Sequence, residues 1–329
     1  LTKDSARPEE AENWEASSFE LDSEYRTIPA DVYSASIRIA EGCNRKCAYC
    51  VIPNIRGPYR SRTMESVLSE AERLAEAGTK ELSVIAEDTG CYGADLYGKP
   101  MLSELLRKLC RIEGIQWIRL MYCYEDHIDD SLIKVMAEEP KICHYIDMPL
   151  QHASDSVLKE MNRSTTNVRM RSTIQKLREA MPDITIRTTM IVGFPGETEE
   201  EFQELLDFCA EIRFDRLGAF TYSREEGAPA AERTDQIPEE VKESRLDRLM
   251  SQQMEISLEN NQRQIGKIAE VIVDGKDEDG VSYIGRTRRD APEIDDSVLF
   301  SSERELIPGQ ITRVKITDAF DYDLEGMEV

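Results

Sequence analysis

Six apolar runs of strand length alternate with amphipathic helical patterns through the first two thirds of the chain. The runs are SASIRIA, ending at Ala40, then ELSVIA (81–86), QWIRLMY (116–122), HYIDMPL (144–150), ITIRTTMIVG (184–193) and RLGAFTY (216–222). After the first of them, Val67, Leu68, Ala71, Leu74 and Ala75 fall on one helical face, and Gly78 supplies the stop signal. Similar helical patterns cover 102–110, 130–138, 166–180 and 198–211. Strict strand–helix alternation implies right-handed parallel crossovers. Six such units predict an α/β fold, a partial (β/α)6 TIM-like barrel, in preference to an open dinucleotide-binding sheet. Functional side chains are then expected at the C-terminal ends of the strands.

A long polar-faced helix is predicted over 238–261, carrying Leu246, Leu249, Met250, Met254, Ile256 and Leu258. Near Arg263 the pattern changes to short β runs, IAEVIVDG, VSYIGRT, SVLFS and ITRVKITDAF, broken by Gly, Pro and Asp. That pattern predicts a small all-β barrel. The expected organisation is an α/β domain over 35–262 and a β-barrel over 263–329. The acidic, Ser-rich stretch 1–34 is expected to be a linker, or the remnant of a preceding domain, because the chain opens on Leu1.

Charge narrows the partners. Asp and Glu number 65 against 41 Lys and Arg, a net charge of -24, which disfavours phosphate-rich nucleic acid and favours a basic protein. No apolar run reaches the roughly 18 residues needed to span a bilayer, so no membrane partner is expected. The first residues also lack a secretion-signal profile, and a cytoplasmic protein is the expectation. Of the eight cysteines, three fall within 43–50, while Cys91, Cys110, Cys123, Cys143 and Cys209 are scattered. In a reducing compartment the group suggests a metal and the singletons suggest core.

The run Cys43-Asn-Arg-Lys-Cys47-Ala-Tyr-Cys50 directly follows the first predicted strand. Thiolates are the soft ligands an iron–sulfur cluster takes, and three of them leave one iron of a cubane open to a substrate. Structural zinc is the alternative, but it takes four protein ligands, and no second CxxC or nearby His completes a set.

CxxxCxxC with an aromatic, Tyr49, before its last cysteine resembles the signature of radical S-adenosylmethionine (SAM) enzymes. The resemblance implies a 4Fe-4S cluster on Cys43, Cys47 and Cys50 whose open iron chelates SAM. An external electron donor then drives cleavage to a 5'-deoxyadenosyl radical, with no acid/base pair as catalyst. IPNIRGPYRSR (52–62), AEDTGCYG (86–93), PLQHASDSVLKEMNR (149–163) and IVGFPGET (191–198) further resemble the methylthiotransferase branch. With a tail that looks like an OB-like TRAM barrel, the resemblance covers 35–329. QHASD and AEDTGCYG resemble the type that modifies the β-carbon of an aspartate in small-subunit ribosomal protein twelve. The alternative is a tRNA adenosine methylthiotransferase. The family draws sulfur through a second 4Fe-4S cluster in an N-terminal domain, expected only in a full-length enzyme.

By the same resemblance, Tyr49, Glu87, Asp88, Gln151, Gly193 and Gly196 are expected around the cofactor. The family usually shows Gln-Asp where this chain has Glu87-Asp88, and a structural pairing of Glu87 is an equal alternative. Arg56, Arg60, Arg62 and His152 are candidates for substrate or SAM contact, against solvated loop charges for the arginines and a satisfied structural role for the histidine. The tail carries nine Lys and Arg against 16 Asp and Glu over 263–329, which favours a basic protein substrate over RNA. Arg286, Arg288 and Arg289 could still touch RNA as a secondary contact, with salt bridging as the alternative.

Overall fold

The computed structural model describes residues 26–29, 32–278 and 280–329, so most of the stretch 1–34 expected to be a linker lies outside the described residues. Strand β1 (Ser34–Arg38) leads into β2 (Ala40–Glu41), which pairs antiparallel with β3 (Arg60–Ser61) across the cysteine loop. Strands β4 (Glu81–Ile85), β5 (Trp117–Leu120), β6 (Ile142–Asp147), β7 (Thr185–Val192) and β8 (Arg216–Thr221) join β1 in one six-stranded sheet. All neighbours are parallel and follow chain order, the arrangement that the strand–helix alternation predicts.

Period two sorts each strand between two environments. Leu82 and Val84 of β4 pack with Leu74, Leu105 and Leu106 from the covering helices. Glu81, Ser83 and Ile85 face the opposite, inner side. The helices begin where capping chemistry allows. Thr63 accepts from the Ser66 N–H to start Met64–Glu76, and Thr198 forms a reciprocal capping box with Glu201 at Glu199–Ile212. The long helix Glu239–Gln262 buries Leu249 and Ile256, but its inner face also carries Lys242, Arg245, Gln253, Ser257, Asn260 and Asn261. Met254, counted among its apolar positions, is exposed. No helix among the described residues is long and apolar enough to cross a membrane.

The tail forms a closed barrel of β9 (Ile268–Lys276), β10 (Tyr283–Thr287), β11 (Val298–Ser301), β12 (Ile311–Ala319) and β13 (Leu324–Glu328), in the order β10-β11-β13-β12-β9. β13 is the strand that the apolar pattern misses, because LEGME carries two glutamates and a glycine. The barrel sits against the inner side of the parallel sheet. Trp117, Met121, Cys143 and Tyr145 of the sheet pack on Ile272 and Ala291, and around them lies a layer of ion pairs. Arg119, fully buried, contacts Glu81 at 3.0 Å and donates to the Arg288 carbonyl. Arg286 pairs with Glu81 at 2.8 Å and with Asp274 at 2.9 Å. Arg216 pairs with Asp290 at 2.7 Å, and Arg187 bridges Asp147 and Asp295. Arg288 meets Glu270, and Arg289 meets Asp215. All three arginines of the tail's basic patch are therefore paired within the chain.

One member of this layer is poorly matched. Arg216 Nε lies 3.1 Å from Asp296 Oδ2, yet neither atom is aligned for a hydrogen bond. Burial pushes the Asp296 carboxyl up to about 7, and Asp290 and Asp295 add to this against the opposing pull of Arg216. The native state then holds a proton that the unfolded chain has already lost above about pH 4, so stability falls as pH rises from there to 7. Asp296→Asn is expected to raise the melting temperature at pH 8 and to change it less at pH 5, by scanning calorimetry. A parent-like melting temperature at pH 8 would show that the ionised carboxylate is well accommodated.

Candidate active site

The cysteine loop is built by backbone geometry at the C-terminal end of β1. Gly42, at φ +77°, turns the chain, and a Cβ there would fall 2.3 Å from the Pro58 carbonyl oxygen, so only glycine fits. The Cys43 N–H donates to the Gly57 carbonyl, the Ala48 N–H to Met161 and the Ala230 N–H to Ala48, which holds the loop from three sides. The sulfurs of Cys43 and Cys50 each accept a backbone N–H, from Arg45 and Ile52, at 3.4 Å. Burial pushes both thiols up, and these N–H groups oppose it. All three cysteines are free thiols, and the other five are unbridged as well. Cys110, Cys123 and Cys209 lie in the main core and Cys143 at the contact between the domains.

Next to this loop are buried polar atoms with no hydrogen-bond partner among the described residues. The Tyr49 hydroxyl and Glu87 Oε2 are buried without a hydrogen bond. Burial pushes the Glu87 carboxyl up, and Glu41 adds to this while Arg56 and Arg38 oppose it. Among the described residues Glu87 Oε2 has no hydrogen-bond partner, while Arg56 and Arg38 lie near enough to act on its charge. A buried acceptor without a partner is costly unless a ligand satisfies it. Three thiols with peptide N–H groups directed at two of their sulfurs, beside unsatisfied polar atoms, fit a cluster that keeps one iron for a polar ligand.

On the rim beyond β1, Glu41 gathers Arg56 at 3.2 Å, Arg38 at 3.7 Å and Arg60 at 3.8 Å. One carboxylate faces three guanidiniums at this rim, close to Glu87. Below it, a cavity of about 890 Å³ opens between the sheet and the tail barrel, lined by Ser36, Ser83, Ile85, Tyr122, Asp274 and Asp295 among others.

Several expected contacts are instead directed into the protein. Asp88 follows Glu87 with an extended backbone, at φ -154° and ψ 98°. It is buried and meets Arg45 Nε at 2.9 Å, His127 Nδ1 at 3.0 Å and Cys91 Sγ at 3.2 Å. Arg62 is buried against Glu70 at 2.5 Å and donates to the Arg38 carbonyl, which fixes the helix Met64–Glu76. His152 is fully buried; its Nδ1 accepts from the Ser154 N–H and its Nε2 lies 3.4 Å from Glu197. Glu197 also accepts from the Gly193 and Phe194 N–H groups, which leaves neither for a phosphate or carboxylate ligand. The glycine positions themselves are filled by the chain. A Cβ at Gly193 would meet Lys242 at 2.3 Å, and one at Gly196 would meet Asp235 at 2.6 Å. Gln151 takes a left-handed backbone at φ +75° and bridges to Met190, and Tyr122 is also left-handed, at φ +51°. Such strain in non-glycine residues at strand ends is common at functional sites.

The sequence reading missed a group around Arg45, made of Asp126, His127, Tyr124 and Arg163. Arg45 and Arg163 stack on the Tyr124 ring, 4.0 and 4.3 Å from its centroid. Arg45 lies inside the cysteine motif, but nothing in local spacing identifies its partners, which are 43 to 119 residues away.

Comparison with known proteins agrees with this geometry. Residues 37–209 match the model of the radical SAM superfamily, and 265–329 match that of the TRAM domain. The ribosomal protein uS12 methylthiotransferase RimO of Pelotomaculum thermopropionicum is 54% identical over 305 residues, covering 92% of this chain and 69% of that protein. The protein of the same name from Geobacter sulfurreducens is 47% identical over 328 residues, covering 99% of this chain and 73% of that protein. Among solved structures, coproporphyrinogen III oxidase (HemN) from Escherichia coli, described as a radical SAM enzyme, superposes with a TM-score of 0.52 at 17% identity, covering 84% of this chain and 69% of that one. That likeness is one of fold. By its sequence the chain belongs to the radical SAM superfamily and, within it, to the ribosomal protein uS12 methylthiotransferases.

Proposed function

We propose that this chain is a radical SAM methylthiotransferase that adds a methylthio group to the β-carbon of an aspartate in ribosomal protein uS12. The observation that carries the reading is the loop of three free cysteines, set beside buried polar atoms that have no hydrogen-bond partner among the described residues. Cys43, Cys47 and Cys50 hold the 4Fe-4S cluster, and Glu87 and Tyr49 offer polar contacts to SAM. When bound, cluster and SAM together supply one-electron cleavage and a radical able to abstract hydrogen, the step that no side chain here could perform. The electron comes from an external donor.

The chain's own residues bind and orient. Arg56 and Arg60 share the single carboxylate of Glu41 at the rim, where an aspartate side chain would be held by guanidinium contacts. Tyr122, in its left-handed backbone, lines the cavity on the inner side of the sheet. A net charge of -24 draws in a basic ribosomal protein and opposes a polyanion. The internal pairing of Arg286, Arg288 and Arg289 supports the protein substrate over tRNA. Any RNA contact by the TRAM barrel is secondary.

Isotope transfer tests this. With uS12 deuterated at the aspartate β-carbon, 5'-deoxyadenosine formed by the reduced, reconstituted protein is expected to carry deuterium, and tRNA is expected not to stimulate SAM cleavage. Stimulation by tRNA with no deuterium transfer from uS12 would assign the chain to the adenosine-modifying branch.

A further inference from the structure

The ligand atoms of Asp88, Cys91 and His127 lie within 4.8 Å of one another, an arrangement that could hold a divalent cation. A cation already belonging to the chain lies there. The Arg45 guanidinium reaches Asp88 through Nε at 2.9 Å, Asp126 through Nη1 at 2.9 Å and Nη2 at 2.5 Å, and His127 through Nη2 at 3.1 Å. Its flat face covers Tyr124 at 4.0 Å. Asp88 is about 1% exposed and Asp126 about 15%, so little water competes for these contacts. The same residue's backbone N–H donates to the Cys43 sulfur, so one residue joins a thiol ligand to the loops that follow β4 and β5.

We propose that Arg45 is a positioning residue of the cluster: a built-in cation that fixes the thiol loop against the strand ends and offsets Asp88 and Asp126, so that the cluster can accept an electron. This rests on the triad holding a cluster, as argued above. Charge counting gives the consequence. Arg45 with Asp88 and Asp126 sums to one negative charge; without Arg45 the pair carries two, next to three thiolates. An added electron is then resisted more strongly, and the reduction equilibrium shifts toward the oxidised cluster. Lysine is a weak replacement, because a single ammonium cannot make the forked contact to Asp126 while also reaching Asp88.

The test uses anaerobically reconstituted protein, with iron content and the cluster midpoint potential as readouts alongside 5'-deoxyadenosine. Arg45→Gln is expected to lower the reduction equilibrium by about tenfold, which for one electron is about 59 mV. The double variant Arg45→Gln with Asp126→Asn restores the charge count without restoring the contacts, and is expected to bring the potential most of the way back. If Arg45→Gln binds less than a full cluster, the double variant is expected to regain iron. An unchanged potential in the fully loaded single variant, a potential that stays low in the double variant, or iron loss that the double variant fails to repair would each overturn the proposal. Failure of the parent protein itself to bind a cluster would overturn the cluster reading beneath it, and so the two failures can be told apart.

Discussion

Replacing Cys47 by Ala is expected to leave a folded chain that releases no 5'-deoxyadenosine above background when reduced with SAM. The side chain is buried, but it is small and belongs to a loop held by backbone contacts at Cys43, Ala48 and Ala230 that an alanine leaves intact. Loss of one thiolate from a set of three cannot be made good within the chain, since the other five cysteines sit in the core, at the domain contact or beside Asp88. The effect should thus fall on iron content and SAM cleavage, and circular dichroism should match the parent. Equal loss from Cys43→Ala and Cys50→Ala is expected by the same argument. A Cys47→Ala protein that still cleaves SAM at the parent rate would remove the triad from the chemistry.

The second large effect is on stability. Glu81→Gln is expected to cost about 3–5 kcal/mol, the usual cost of removing one partner from a buried ion pair. Glu81 has no exposed surface, and its two oxygens hold Arg119 from the sheet and Arg286 from the barrel. Burial pushes its carboxyl up, but the two guanidiniums outweigh this and hold it below its usual range. Asp290, buried beside Arg216, is held low for the same reason. For carboxyls lowered in the native state the contribution is complete above their unfolded pKa of about 4 and is lost as pH falls through the lower native value. Acid unfolding of the parent should therefore begin below about pH 4, and the variant should lose that part of its pH dependence. Urea titration measures the loss, and a smaller m value would show the barrel separating before the sheet melts. A loss under about 1 kcal/mol would mean that water relieves the two arginines once Glu81 is changed.

What could be read from the chain depended on whether a signal was local. The six parallel strands, the capped helices and the cysteine loop each declare themselves within about fifteen residues, through alternation, a capping threonine or tight spacing. Glu87 and Asp88 share one motif, but only the fold shows Glu87 with an unsatisfied oxygen and Asp88 tied to Arg45. Gly193 and Gly196 look like a ligand-binding turn, and the space they leave is taken by Lys242 and by Arg233 with Asp235. Arg62 and His152 stand among the motif's polar residues, and only the fold shows them paired with Glu70 and Glu197. The inner face of the helix Glu239–Gln262 defeated its apolar count because polar side chains there find carbonyl partners far away, such as Gln253 with Phe214 and Asn261 with Phe320 and Tyr322.

The ion-pair layer between sheet and tail has a consequence for how the two parts can move. Six strands do not close on themselves, and the inner face they leave open presents Glu81, Arg119, Asp147, Arg187 and Arg216 rather than the apolar layers that fill a complete eight-stranded barrel. The tail acts as a stopper for that opening, its own charges completing the sheet's interior. Swinging it outward would strip partners from several buried groups at once, so it cannot serve as a hinged arm that hands substrate inward. Under the proposed function, substrate would therefore approach the cysteine loop from the rim side, by Arg56 and Arg60, while the stopper stays seated.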